Sequence, residues 1–171
     1  MRALKIVFNY FPQLSAMQQD MQSNHYPKFF LMLAVSFVIM YAVMYLNTYE
    51  WDHVYFSLMR FYMTCLMVLP MGLVMLGFMQ NMYPRRGLNL FITGAGSMLF
   101  VVVFFLMRTQ AFVNDTRWME AIIPHHSIAI LTSERATIQD PEVRKLADDI
   151  IVAQKREIVE MKVMLKRLKQ Q

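Results

Sequence analysis

Three apolar runs of 18 or more residues constrain this chain more than any other feature, because a run of that length at 1.5 Å rise per residue matches the hydrocarbon core of a bilayer, about 30 Å thick. Phe29 to Leu46 is the first, followed by the polar, aromatic link Asn47 to His53. Phe61 to Met79 is the second and carries Pro70, Gly72 and Gly77, which membrane helices tolerate where neighbouring helices satisfy the freed backbone groups. The turn Tyr83-Pro84-Arg85-Arg86-Gly87 leads to the third, Leu88 to Met107, whose Thr93-Gly94-Ala95-Gly96-Ser97 patch predicts close helix contact. With 57% hydrophobic and only 17% charged residues, the chain is too apolar for a single soluble domain. The segment from Asp115 to Gln171 nevertheless carries most of both the acidic and the basic residues, so two solvents are implied, lipid and water.

The expected architecture is all-α. Residues 1–28 form an N-terminal tail or interfacial segment, 29–109 a three-helix transmembrane domain, and 110–171 an extracytoplasmic, antiparallel helical hairpin. No small-residue cleavage site follows the short N-terminal apolar stretch, which argues against a cleaved signal peptide. Orientation follows the short flanks: Arg2, Lys5, Lys28, Arg85 and Arg86 on one side of the spans outweigh Arg60, Arg108 and Arg117 on the other. That balance places the N-terminus inside and the C-terminal domain outside the cytoplasm. The formal charge of +5 does not indicate nucleic acid, since the basic residues share a helix with acidic ones and no recognition motif accompanies them. The lone Cys65 lies in an apolar run and says nothing of redox compartment.

In the C-terminal third, Asn114 and Asp115 are good N-caps, and helical periodicity runs from Trp118 to Ile138 despite Pro124. Asp140-Pro141-Glu142 restarts a helix, with Asp as cap, Pro in the first turn and an acid near the positive dipole end. At about 100° per residue, His125 and His126 flank the apolar stripe of the first helix, so that both can look toward the core while diverging from each other. One can bind a metal ion while the other orients it or faces another subunit. Gln154 and Met161 lie near the middle of the stripe on the second helix and Glu157 at its edge, odd places for an amide and a carboxylate that only pack. Counting outward from the turn near Asp140 brings the histidines level with Gln154 and Glu157, and Met119 level with Met161. Imidazole suits several transition ions and thioethers select soft ones, so this mixed set points to copper before zinc. The competing reading makes the histidines core hydrogen-bonders and the methionines gap fillers.

Met59, Met63, Met67, Met71, Met75 and Met79 repeat every four residues along the second span. A thioether relay for Cu(I) is conceivable, but each step drifts about 40° round the helix, so a packing ridge against the other spans fits better. Arg60, near the end of its span, is expected to snorkel to the interface.

Taken in order, Trp118-Met119, Ile123-Pro124-His125-His126-Ser127-Ile128-Ala129-Ile130, Pro141-Glu142-Val143-Arg144-Lys145-Leu146-Ala147, Ile150-Ile151, Gln154, Glu157-Ile158 and Met161 resemble the domain of unknown function 305 family. The spans, including Leu46-Asn47-Thr48-Tyr49 and Leu76-Gly77-Phe78-Met79, resemble its membrane-anchored bacterial branch. The resemblance implies a ferritin-like helical fold, with copper binding and copper tolerance proposed for some soluble members. Family methionines beside Pro-His-His and after Ala-Ile are replaced here by Ala121, Ile122 and Leu131. One hairpin is half of a four-helix bundle, so a homodimer is expected to complete it. The function expected is a non-enzymatic metal-binding membrane protein, holding copper through His125, His126, Met119, Met161, Glu157 and Gln154 for storage, buffering or delivery to a membrane or periplasmic partner. The alternative is a structural or assembly subunit of a membrane complex without bound metal. A ferritin-like redox centre lacks its inward carboxylates and Glu-x-x-His spacing, and no serine or cysteine sits at a nucleophile elbow.

Overall fold

A computed structural model describes residues 25–170. It is all-helical: α1 is His25–Val43, α2 Leu58–Phe78, α3 Arg86–Arg108, α4 Asp115–Arg135 and α5 Pro141–Leu168, with 3-10 turns at Trp51–His53 and Gln80–Met82. No strand occurs among the described residues. The tail expected over residues 1–28 lies outside them up to residue 24. Helices α1, α2 and α3 are long and apolar enough to cross a membrane, with mean hydropathies of 1.8, 1.9 and 2.4. Their outward surfaces are apolar, as lipid requires, including Leu31, Val38, Leu90, Phe91 and Met98.

The contacts divide the chain into two compact units. The first takes α1 as far as Val38 together with Cys65–Val102. Here α1 begins four residues before the apolar run, because Tyr26 and Phe29 have partners. Their rings stand 5.2 and 5.6 Å from that of Tyr83, and the Tyr26 hydroxyl donates to Asn89 Oδ1 at 2.8 Å. The close helix approach expected around Gly94 to Ser97 falls only on Gly96, where a Cβ would stand 3.0 Å from Leu73 Cδ2; at Gly94 it would meet nothing. A second close approach is at Gly72, whose Cβ would stand 3.0 Å from Leu33 Cδ1. Gly72→Leu is therefore expected to destabilise this unit by about 1–3 kcal/mol through overpacking, while Gly94→Leu is tolerated. Thermal unfolding of the two variants in detergent checks the difference.

The methionine ladder packs within the chain only in part: Met75 lies against the cluster of Tyr26, Phe29, Leu76 and Tyr83 and Met59 is half-buried, whereas Met63, Met67, Met71 and Met79 are more exposed.

The second unit comprises Ile39–Thr64 and the chain from Val103 onward. One tyrosine organises its first segment: the Tyr45 hydroxyl donates to Tyr55 O at 2.8 Å and accepts from Ser57 N at 3.1 Å. Arg60, near the start of α2, is 7% exposed, with its guanidinium 4.0 Å from the centre of the Tyr45 ring and Nη1 buried without a hydrogen-bond partner. Between α3 and α4, Gln110 and Phe112 adopt left-handed φ values of 54° and 62°. The turn is held by Gln110 Nε2 donating to Met107 O, Tyr62 Oη to Ala111 O and Arg117 Nη1 to Phe112 O.

Helices α4 and α5 pack against each other in this unit. Both caps form as expected: Asn114 Oδ1 accepts from Arg117 N, and Asp140 Oδ1 from Glu142 N and Val143 N. Met119, Ile123 and Ile130 of α4 and Ile158, Met161 and Leu165 of α5 form one buried cluster, flanked by Tyr49, Tyr55, Ile122, Ile151 and Leu168. Each such buried side chain contributes about 1.5–3 kcal/mol. Side-chain pairs run in opposite order along the two helices, Glu120 with Lys169, His126 with Glu157, and Ser133 O with Arg144.

A candidate metal site on the helix pair

His126 is the best-built of the expected site residues. Its Nε2 lies 2.7 Å from Glu157 Oε2, and its Nδ1 is buried without a hydrogen-bond partner. In the neutral tautomer that donates Nε2–H to the carboxylate, the ring orientation is fixed and Nδ1 keeps a bare lone pair. A carboxylate holding one imidazole nitrogen while the other is free is the arrangement that orients metal-ligating histidines.

His125 points elsewhere. It is exposed, its ring centre 6.3 Å from that of His126 and inclined at 60°, so the expectation that both rings look into the core is met by one alone. The cause is the 100° step between neighbours: once Ile123, Ser127 and Ile130 claim the buried face, position 126 lies at its edge and position 125 beyond it. Met119 and Met161, 4% and 7% exposed, share the apolar cluster as the register count predicts. Met119 is seven residues from His126, about 10 Å along the helix, so the thioethers form a tier of their own. Gln154 is half-buried, one turn before Glu157.

Residues outside the expected set complete the region. Ser127, fully buried, accepts from Tyr49 N at 2.7 Å and stands 3.0 Å from His53 Nδ1. The link between α1 and α2 is thereby fastened to α4 beside the two histidines. Burial, helped by the Lys162 ammonium, holds His53 below the usual imidazole pKa against the opposing pull of Asp52 and Glu50. Its other nitrogen, Nε2, lies 3.6 Å from both Glu50 Oε2 and Asp52 Oδ1. Lys162 Nζ donates to Asp52 Oδ2 and, with burial opposing, keeps that carboxyl below its ordinary pKa. The sequence signal was present, a histidine and two acids in one short polar link, but their partner on α4 is 74 residues away.

A family model described as "Domain of unknown function (DUF305)" matches residues 110–171. An uncharacterized protein of Acanthamoeba polyphaga mimivirus is 34% identical over 144 residues, covering 82% of this chain and 93% of that protein. No solved structure matches the chain. With α4 and α5 spanning the matched region and the similarity extending through the apolar helices to a relative covered almost end to end, the chain belongs to the domain of unknown function 305 family.

Proposed function

We propose that this is a membrane-anchored metal-binding protein whose α4–α5 pair, an extracytoplasmic antiparallel hairpin, takes a soft ion, copper(I) first, for storage, buffering or delivery. The observation that carries the proposal is His126, with Nε2 engaged by Glu157 and Nδ1 buried and unpaired. A buried polar atom without a partner is costly, about 1–3 kcal/mol, and a metal ion is one way to satisfy it. His126 Nδ1 is the primary ligand, Glu157 its orienting group, and Met119 and Met161 a second, sulfur-only tier suited to Cu(I). His125 and Gln154 act at the rim, His125 toward solvent or a second subunit.

A homodimer and a ferritin-like bundle are part of the proposal. The support is the apolar residues that α5 leaves exposed, Val152, Val159 and Val163, each above 60%, at spacings of seven and four along one helix face. The basic residues Arg85 and Arg86, just before α3 and at its first position, support an inner-membrane orientation with α4 and α5 outside the cytoplasm. A non-metal assembly subunit is favoured by the same exposed face and by the exposure of His125.

Copper(I) titration of the purified protein, in competition with a chromophoric chelator, is the test. Wild type is expected to bind, and a His125→Ala, His126→Ala double variant to lose at least about 10-fold in affinity. Equal stoichiometry and affinity in the two proteins would leave the assembly role standing in place of metal binding.

A further inference from the structure

The link between α1 and α2 carries its own constellation of ligand atoms. We propose that His53, Glu50 and Asp52 form a second metal site, for a divalent ion of the zinc class, distinct from the soft site on α4 and α5. Nε2 of His53, a carboxylate oxygen of Glu50 and one of Asp52 all lie within 4.8 Å of one another. Nε2 is 3.6 Å from each carboxylate, beyond hydrogen-bond reach, yet close to the roughly 3.4 Å that separates donors around a tetrahedral ion with bonds near 2.1 Å.

The histidine, more than the acids, makes this a site. His53 is 5% exposed, and its Nδ1 is anchored on Ser127, a side chain with no exposure at all. When Nδ1–H donates to Ser127 Oγ, the Nε2 lone pair points between two carboxylates with no proton to share, and a cation satisfies all three groups. The partner shell is divided in the same sense. Asp52 turns Oδ1 to His53 and gives Oδ2 to Lys162, so the lysine orients the carboxylate without occupying the atom that faces the imidazole. Ligating imidazoles and carboxylates are held by such outer partners. A cavity of about 170 Å³, lined by Tyr49, Glu50, His53, Ile158 and the ammonium groups of Lys155 and Lys162 among others, leaves room for a water as fourth ligand. One nitrogen and two oxygens without sulfur suit Zn²⁺ or Co²⁺ and disfavour Cu(I).

The test uses the full chain in detergent, in a His125→Ala, His126→Ala background, so that failure of the soft site and of this one are read separately. Cobalt(II) titration is followed by visible absorption, and zinc affinity by competition. The parent is expected to bind one ion with the intense bands of four-coordinate Co²⁺. Glu50→Gln combined with Asp52→Asn is expected to weaken both ions by at least about 10-fold and to lose those bands. Both acids are exposed, so this variant keeps its fold. His53→Gln is expected to behave alike. A Glu50→Gln, Asp52→Asn protein that titrates like its parent, or a parent that binds neither ion, overturns the proposal.

Discussion

Ser127→Val is expected to release the link between α1 and α2 from α4. The hydroxyl serves two groups at once, the Tyr49 amide and His53 Nδ1, at a position with no solvent exposure. Valine matches threonine in shape but offers no acceptor, so Ser127→Val and Ser127→Thr add the same bulk and differ in the hydroxyl; each buried donor left unsatisfied costs about 1–3 kcal/mol. Amide hydrogen exchange reads the result directly, as lost protection at Tyr49 and its neighbours, while the α4–α5 cluster stays protected. Ser127→Thr, which keeps the hydroxyl, is the control and should retain much of the protection. Unchanged exchange at Tyr49 in the valine variant would mean that the link is held by the flanking ring contacts instead.

Ile123→Ala is expected to have the other large effect. Ile123 is completely buried in the cluster that joins α4 to α5, alongside Met119, Ile130, Ile158, Met161 and Leu165. Truncation removes three carbons and leaves a cavity that rigid helices fill only in part, a loss of about 2–5 kcal/mol. Val152→Ala, on the exposed side of α5, should cost within about 0.5 kcal/mol in the monomer. Limited proteolysis after Lys155 and Lys162 reports on the pair: rapid cleavage in Ile123→Ala and near wild-type resistance in Val152→Ala are the expected outcomes. Proteolysis is read at a dilution that separates the proposed dimer; a Val152→Ala protein as labile there as Ile123→Ala would mean that Val152 packs within its own chain.

Much of the architecture was legible because it rests on local rules. Apolar runs of bilayer length became α1, α2 and α3, and Asn114 and Asp140 capped α4 and α5 where a polar side chain precedes a periodic segment. The pairing of His126 with Glu157 and the shared burial of Met119 and Met161 followed from counting outward from one turn. What escaped depends on competition among neighbours or on distant contacts. His125 faces outward because Ile123, Ser127 and Ile130 occupy the buried arc, a choice among overlapping stripes that periodicity leaves open. The ring that Arg60 meets belongs to Tyr45, 15 positions earlier, and a rule about span ends cannot anticipate that partner. The α1–α2 link looked like a connection, since nothing within it announces a serine on α4.

That serine also sets an order of events during synthesis. The Tyr49 amide and the His53 imidazole leave the ribosome 78 and 74 residues before Ser127 does. At about 5–20 residues per second, those groups wait several seconds before the serine can reach them. The link between α1 and α2 therefore reaches its final shape last, once α4 has been made. Truncated chains that end before α4 should carry an unsettled early loop, open to proteases and ready to be escorted by a chaperone until its late-arriving clasp closes.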